Sequence, residues 1–496
     1  MEVKKTKHPS GLYTLFATEF WERFSYYGMR ALLVLYLTAE FSRGGFQMER
    51  AEALAIYGIF TGLVYLTPIF GGILADKILG QRKAIFIGGI VMALGQFALM
   101  ASVSYNEGGN LDMREFLMYC GLGLLILGNG FFKPNISTIV GGLYEQDDPR
   151  KDSAFTIFYM GINLGAFFSP IVAGSLGEQV GWQYGYMSAG IGMVLGTIWF
   201  YARRASLQNV GMPPDRDESA TDLIIKDWID IILYSIACVL AVVGFIFLLN
   251  TTPENIMDII IIIAAIAATL YLLITIISGT KGKTEWSRVL VIIVLAAFNV
   301  VFWSGFEQAG GTFNLFAEQN TNRDFFGLFE IAASAFQAVN AIFIVIFAPI
   351  FSVLWLSLAK KNINPRTPVK FSIGLFLLGL GFLVIAAGKD KADTGMLVSP
   401  MWLVGTYLLH TLGELCLSPV GLSMITKLSP KKIVSAMMGL WMASIALGNY
   451  LAATMEAILL KYDFQLYPFI ATEALVSAAI LLALSPLLNK LMKGIH

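Results

Sequence analysis

Glu19, Glu22, Arg23, Tyr26, Tyr27 and Arg30 follow one another at steps that return to one helical face. The residues around them are apolar, so this polar stripe lies in a segment built for a hydrocarbon environment. An ionised side chain at a bilayer centre costs about 2.5–3.5 kcal/mol on insertion scales, so the stripe must face water or counter-charges. Two acids beside one arginine can hold different proton affinities, set by which acid the arginine engages. The chemistry such a face offers is proton exchange along a cavity wall; the alternative is a structural ion-pair cluster.

Three further ionisable groups stand alone in apolar segments. Lys133 lies in Gly128-Asn129-Gly130-Phe131-Phe132-Lys133-Pro134-Asn135. Pro134 has no amide hydrogen, so the carbonyl of Gly130 loses its helical donor and the helix can bend there. A lysine midway along a membrane helix needs an acidic neighbour, and the Glu19 and Glu22 carboxylates are the expected partners. Glu307 follows Trp303-Ser304-Gly305-Phe306, and Glu414 follows His410-Thr411-Leu412-Gly413. Each solitary acid requires a cation, a proton or a polar ligand. His410 is read as a hydrogen-bonded packing residue.

Arg23, Arg30 and Lys133 fall in the first half of the chain, Glu307 and Glu414 in the second. A cavity between two such halves would be positive on one wall and negative on the other, matching a zwitterion with separated carboxylate and ammonium groups. Tyr26, Tyr27, Tyr65, Trp303 and Trp441 could supply an apolar, hydrogen-bonding surround. Asp76-Lys77-Ile78-Leu79-Gly80-Gln81-Arg82-Lys83 forms a basic turn around a glycine. Asp76, Gly80 and Arg82 could there latch helices in one transport state.

The elements that must position these groups follow from composition. Of 496 residues, 56% are hydrophobic and only 14% charged, about half the charge of a soluble domain. Uncharged runs such as Ala84 to Val103 and Phe371 to Gly388 are long enough to cross a ~30 Å hydrocarbon core. Breaking the apolar runs at charged or Gly/Pro-rich points predicts fourteen transmembrane helices. Six lie near 13–38, 53–75, 83–103, 115–143, 153–177 and 183–202. An inserted pair lies near 229–249 and 257–278. Six more lie near 288–317, 329–358, 369–387, 399–426, 433–459 and 464–490. The expected organisation is a six-helix bundle over 1–202, a cytoplasmic linker with the inserted hairpin over 203–285, and a second six-helix bundle over 286–496. Pro68-Ile69-Phe70 before one basic turn and Pro349-Ile350-Phe351 before another echo a duplication, and paired halves rocking about a central site are common in secondary transport.

With this layout, 24 of the 34 basic residues fall on the side of the N-terminus and seven (Arg43, Arg50, Arg114, Arg323, Lys389, Lys391 and Lys461) on the other. That bias follows the positive-inside rule and places both termini in the cytoplasm. Lys4, Lys5 and Lys7 precede the first apolar stretch as in a signal peptide, but Glu19, Glu22 and Arg23 interrupt it, so it reads as a retained helix. The net charge of zero leaves no basic field for nucleic acid. Cys120, Cys238 and Cys416 lack ligand spacing, and His8, His410 and His496 are far apart, so no metal site is expected. With neither a nucleophile–base pair nor a phosphate-binding loop in view, an enzyme is disfavoured.

Glu19-Phe20-Trp21-Glu22-Arg23-Phe24-Ser25-Tyr26-Tyr27-Gly28 resembles the ExxERFxYYG signature of the proton-dependent oligopeptide transporters of the major facilitator superfamily. Phe155 to Phe167, with Phe158-Tyr159-Met160-Gly161-Ile162-Asn163-Leu164-Gly165, resembles their second signature. Gly413-Glu414-Leu415-Cys416-Leu417-Ser418-Pro419 is similar to their tenth-helix motif, and the turn at Asp76 to the superfamily's loop motif. The inserted helix pair resembles the bacterial branch, and the short Gly388–Val398 loop lacks the large extracellular domain of the animal members.

The resemblance implies a major facilitator fold in the bacterial inner membrane and proton-coupled symport of di- and tripeptides by alternating access. It implies that Glu19, Glu22 and Arg23 couple protonation to gating, with Lys133 as their switching partner. Arg30 and Lys133 would hold the peptide carboxylate and Glu414 its amino terminus. Asn163 and Asn340 would bind the peptide backbone, with Tyr27 and Tyr65 lining the pocket. Glu307 would be the proton-sensitive partner of Arg30. A functional monomer in the lipid bilayer is expected, with protons as coupling ion and no cofactor. The rival readings are a related carrier of an anion or a drug, and a peptide-binding sensor that transports nothing.

Overall fold

The computed structural model describes residues 7–75, 79–104, 111–145, 148, 150–213, 273–361, 363–430 and 433–493. The expected inserted pair near 229–249 and 257–278 falls almost wholly outside them, as does Asp76. The chain is an all-α polytopic membrane protein. By length and apolarity, nine helices among the described residues are able to cross a membrane.

Six helices form the first half: α1 (Ser10–Thr38), α2 (Arg50–Leu74), α3 (Gln81–Ser104), α4 (Leu111–Gly142), α5 (Lys151–Ser169) and α6 (Trp182–Arg203). Beyond Ser169, α5 continues as π-helical turns over Pro170–Gly174 and Leu176–Val180. Pro170 lacks the amide hydrogen an α-helical ladder needs, and the wider turn accommodates that loss. The second half contains α7 (Gly282–Phe306), α8 (Thr312–Asn320), α9 (Ala338–Lys360), α10 (Thr367–Ala392), α11 (Met401–Leu428), α12 (Val434–Leu460) and α13 (Leu466–Leu491).

The chain forms two compact units, Met1–Gln47 with Leu66–Phe247 and Met48–Tyr65 with Leu248–His496. Helix α2 is therefore divided, whereas chain order placed all of it in the first bundle. Its first half is held within the second unit by Arg50, whose Nε lies 2.7 Å from Glu456 Oε1 on α12. Gly58 leaves room for the Ala453 methyl.

Within the first unit, small residues set how closely helices approach. Gly161 and Gly165 on α5 lie against the backbone of α1: a Cβ at Gly165 would stand 2.5 Å from the Phe20 carbonyl oxygen. Gly88 and Gly95 on α3 meet Gly128 and Gly121 on α4 in the same way. The second signature thus has a packing reason: its two glycines bring α5 against the polar stripe of α1. At the far end of the unit, buried Arg114 donates to the carbonyls of Ser102 (3.1 Å), Gly44 (2.7 Å) and Gly45 (3.1 Å). Its guanidinium stands 4.6 Å over the Phe46 ring. Counted by sequence among the loop charges, Arg114 instead staples the α1–α2 connection to α3.

Two features of the second unit depart from the expected helices. The run 288–317 breaks at a 3-10 turn, Glu307–Gly310, before resuming as α8. Between α8 and α9, Asp324–Phe325 pairs antiparallel with Phe329–Glu330. Phe326 and Gly327, at φ 54° and 74°, lie in the three-residue loop 326–328, where the Leu328 amide donates to the Phe325 carbonyl at 3.0 Å. An expected helix start near 329 is therefore a strand, and helical structure resumes at Ala333.

Candidate functional site

In the first unit the stripe on α1 is buried and internally paired. Arg23 Nη2 donates to Glu22 Oε1 at 2.7 Å, and Arg23 Nε bonds Glu22 Oε2. The same Nε lies 3.2 Å from Glu19 Oε1, one turn earlier. Asn129 Nδ2 on α4 donates to Glu22 Oε1 at 3.2 Å. Both oxygens of Glu22 are thus engaged, whereas Glu19 Oε2 is buried without a hydrogen-bond partner. The Lys133 ammonium lies within electrostatic reach of Glu19. Asn129 stands one helical turn before Lys133, which was the signal for it.

Aromatic rings extend this cluster along α1. The Arg23 guanidinium lies 5.3 Å from the Tyr26 ring centre and 5.9 Å from that of Tyr27. The Arg30 guanidinium lies 5.6 Å from the same Tyr27 ring centre. Tyr27 therefore spaces the two arginines, and such contacts are worth about 2 kcal/mol when desolvated. Asn163 on α5 is buried and donates to the Tyr159 carbonyl at 2.9 Å.

In the second unit Glu414 is half-buried on α11, and Asn340 from the start of α9 donates to its Oε2 at 3.2 Å. The same Asn340 nitrogen lies 3.0 Å from Thr411 Oγ1, one turn before Glu414. Trp303 Nε1 donates to Asn299 Oδ1 at 3.1 Å, and Asn299 Nδ2 to Ser444 Oγ on α12 at 2.9 Å. Trp441 is buried edge-on to Phe371 at 6.0 Å. Tyr65 is half-buried on the part of α2 that belongs to this unit.

Glu307 occupies the first position of the helix break and is buried. Gln308 closes the break: its Nε2 donates to the Ala452 carbonyl on α12 at 2.7 Å, and Thr312 Oγ1 lies 2.8 Å from its Oε1. A broken membrane helix lets irregular backbone reach a site only where protein buries it. Composition flagged Glu307 and missed Gln308, whose task exists only because of the break. His410 stacks among Phe306, Phe313 and Phe382, the last at 4.9 Å.

At the loop motif, Gly80 adopts φ 71°, and a side chain there would collide with the Met212–Pro213 backbone. Arg82 Nε donates to the Val210 carbonyl at 2.6 Å, and its Nη2 to that of Gln208. Both residues clamp the segment leaving α6, a contact inside the first unit.

A bundle of apolar helices carrying buried acid–base clusters, with polar side chains bonded to one another across helices, makes a polytopic membrane protein with ionisable groups in its interior. The POT family profile matches residues 82–472. The chain is 36% identical to the peptide transporter YePEPT of Yersinia enterocolitica, over 98% of this chain and 96% of that protein. It is likewise 36% identical to the di-/tripeptide transporter of Lactococcus lactis, over 87% and 86%. A crystal structure of a peptide transporter POT in complex with sulfate superposes with TM-score 0.84 at 38% identity, covering 98% of this chain and 96% of that one. The chain belongs to the POT family, the proton-dependent oligopeptide transporters of the major facilitator superfamily.

Proposed function

We propose that this protein imports di- and tripeptides together with protons by alternating access. The observation that carries the reading is the buried Glu19–Glu22–Arg23 cluster, tied to α4 by Asn129 and within reach of Lys133. Protonation of one carboxylate loosens its hold on Arg23, and the change passes to α4 through the groups bonded to it. Family membership and relatives named as peptide transporters support the substrate class.

Arg30 and Lys133 take the peptide carboxylate and Glu414 its ammonium, with Asn340 holding Glu414 in place. Asn163 bonds the peptide backbone, and Tyr27, Tyr65, Trp303 and Trp441 shape the apolar surround. Glu307, set in a helix break, is the proton-sensitive partner of Arg30. Gly80 and Arg82, with Asp76, latch the helices at this turn in one transport state. The excess of basic residues on one side supports cytoplasmic termini in an inner membrane, and the protein works as a monomer with protons as its coupling ion.

The test is uptake of labelled dialanine into proteoliposomes with and without an inward proton gradient. Accumulation that needs the gradient and is blocked by other dipeptides is the expected result. Specific binding without flux would refute transport, and neither binding nor uptake would refute peptide recognition.

A further inference from the structure

Within the second unit, α7 and α12 are joined by polar groups along their contact. Asn299 Nδ2 on α7 donates to Ser444 Oγ on α12 at 2.9 Å. Farther along both helices, Gln308 Nε2 donates to the Ala452 carbonyl at 2.7 Å. Between these two bonds the backbones touch: a Cβ at Gly448 would stand 2.7 Å from the Trp303 Cβ and 3.2 Å from the Ser304 amide nitrogen. Asn449 lies in this fixed stretch. It is 0% exposed, and neither its Nδ2 nor its Oδ1 has a hydrogen-bond partner among the described residues.

Helix α2 passes the same place. A Cβ at Gly58 would lie 3.5 Å from the Asn449 carbonyl oxygen. Thr61, one turn along α2 from Gly58, is buried, and its hydroxyl donates to the Tyr57 carbonyl at 2.9 Å. That oxygen keeps its capacity to accept.

A buried amide that bonds nothing costs stability, because both of its polar ends lose water without compensation. Poor approach of the helices does not explain it, since the bonds on either side of Asn449 are made. A primary amide offers two donors and an acceptor. At so enclosed a position the ligand that fits them is water, which in protein interiors bonds polar groups left without partners. Glu307 lies one turn beyond Trp303 on α7, buried at the start of the helix break. Irregular backbone at membrane depth is tolerated where protein buries it or where it lines water. A buried acid, for its part, exchanges protons with an aqueous side only through polar groups and water.

We propose that Asn449 is a positioning residue for proton transfer: its amide holds water between α2, α7 and α12, and that water carries protons to and from Glu307. The water gives one proton to the Glu307 carboxylate and recovers one from the next water, and no covalent bond of Asn449 changes. The inference rests on proton-coupled peptide import as the function, with Glu307 among the groups that protonate.

Asn449→Val and Asn449→Thr test it, because the two side chains differ by a methyl against a hydroxyl and share any cost of changed shape. Each is compared with the wild type for gradient-driven dialanine uptake and for counterflow exchange without a gradient. The threonine variant, which still holds water, should take up dialanine about tenfold faster than the valine variant, the rate equivalent of one hydrogen bond. Exchange should be the same in both. Equal driven uptake by the two variants would overturn the inference, and so would a valine variant that loses exchange in proportion to uptake. Wild-type protein without gradient-driven uptake would refute the import function itself; wild-type uptake with equal variants would refute the role of Asn449 alone.

Discussion

Replacing Glu22 by glutamine changes one charge and almost no volume. Glu22 is 0% exposed and gives both oxygens to Arg23, one of them also to Asn129. Glu19, Glu22, Arg23 and Lys133 together sum to no net charge. With an amide in place of the Glu22 carboxylate, the cluster keeps one surplus positive charge at every pH, the state that protonation creates in the wild type, and has no proton there to release. Breaking a buried ion pair costs about 3–5 kcal/mol. The amide still hydrogen-bonds, and Glu19 remains 3.2 Å from the Arg23 Nε, so the lower end applies. A bias of about 3 kcal/mol shifts a two-state equilibrium roughly 150-fold, enough to hold the cluster in one arrangement. An inside-negative potential of about 100 mV contributes about 2.3 kcal/mol per transported charge, or roughly fiftyfold accumulation of a dipeptide by the wild type. Glu22→Gln should show no accumulation above the external level, yet retain counterflow exchange, which moves no net proton. The assay is dialanine uptake and counterflow in the same proteoliposome preparation. Fiftyfold accumulation by the variant would refute a coupling role for Glu22. Equal loss of accumulation and exchange would make the carboxylate structural.

Three further outcomes rest on the packing. Gly165→Ala should destabilise the purified protein by about 1–3 kcal/mol, because its Cβ meets the Phe20 carbonyl; Gly439→Ala, with open space around it, should instead gain up to about 1 kcal/mol. Thermal unfolding in detergent compares the two. Arg114→Leu strands three backbone carbonyls and should cost about 3–5 kcal/mol by the same measurement; an unchanged unfolding temperature would refute its role as a staple. At the start of α5, hydrogen bonds from the Arg150 side chain and backbone hold the pKa of the Asp148 carboxyl down at about 2. A lowered carboxylate stabilises above its ordinary range near 4 and loses that contribution as pH falls toward 2. Hydrogen-exchange protection at the first turn of α5, taken relative to the intrinsic exchange rate at each pH, should therefore fall between those values in the wild type and stay constant there in Asp148→Asn.

The helices were legible because a bilayer leaves a chain few choices. Backbone groups in hydrocarbon must bond within their own segment, so apolar length alone marks each span. The observed ends fall within a few residues of those expected for α1 to α6, once the π-helical turns that carry α5 on to Val180 are included. Helical period also placed Glu19 and Arg23 on one face. Glu22 was expected beside the same arginine; which oxygens the arginine engages is decided by its side-chain conformation, with Nη2 at 2.7 Å from Glu22 Oε1.

What the chain order left undecided is which neighbour each polar group meets. Asn129 could be read only as a flank of Lys133 until α4 was packed on α1, where it becomes a further partner of Glu22. Asn340 and Glu414 are 74 positions apart, and no periodicity joins them. The break at Glu307 arises inside a run read as one helix from 288 to 317, and the hairpin takes in positions 329 and 330, read as the start of the next helix. Apolar pattern registers burial from water, which a helix and a broken helix satisfy alike. Partners across helices depend instead on how closely backbones approach, and that distance is set in three dimensions by Gly161, Gly165, Gly88 and Gly128 meeting surfaces far away in the chain.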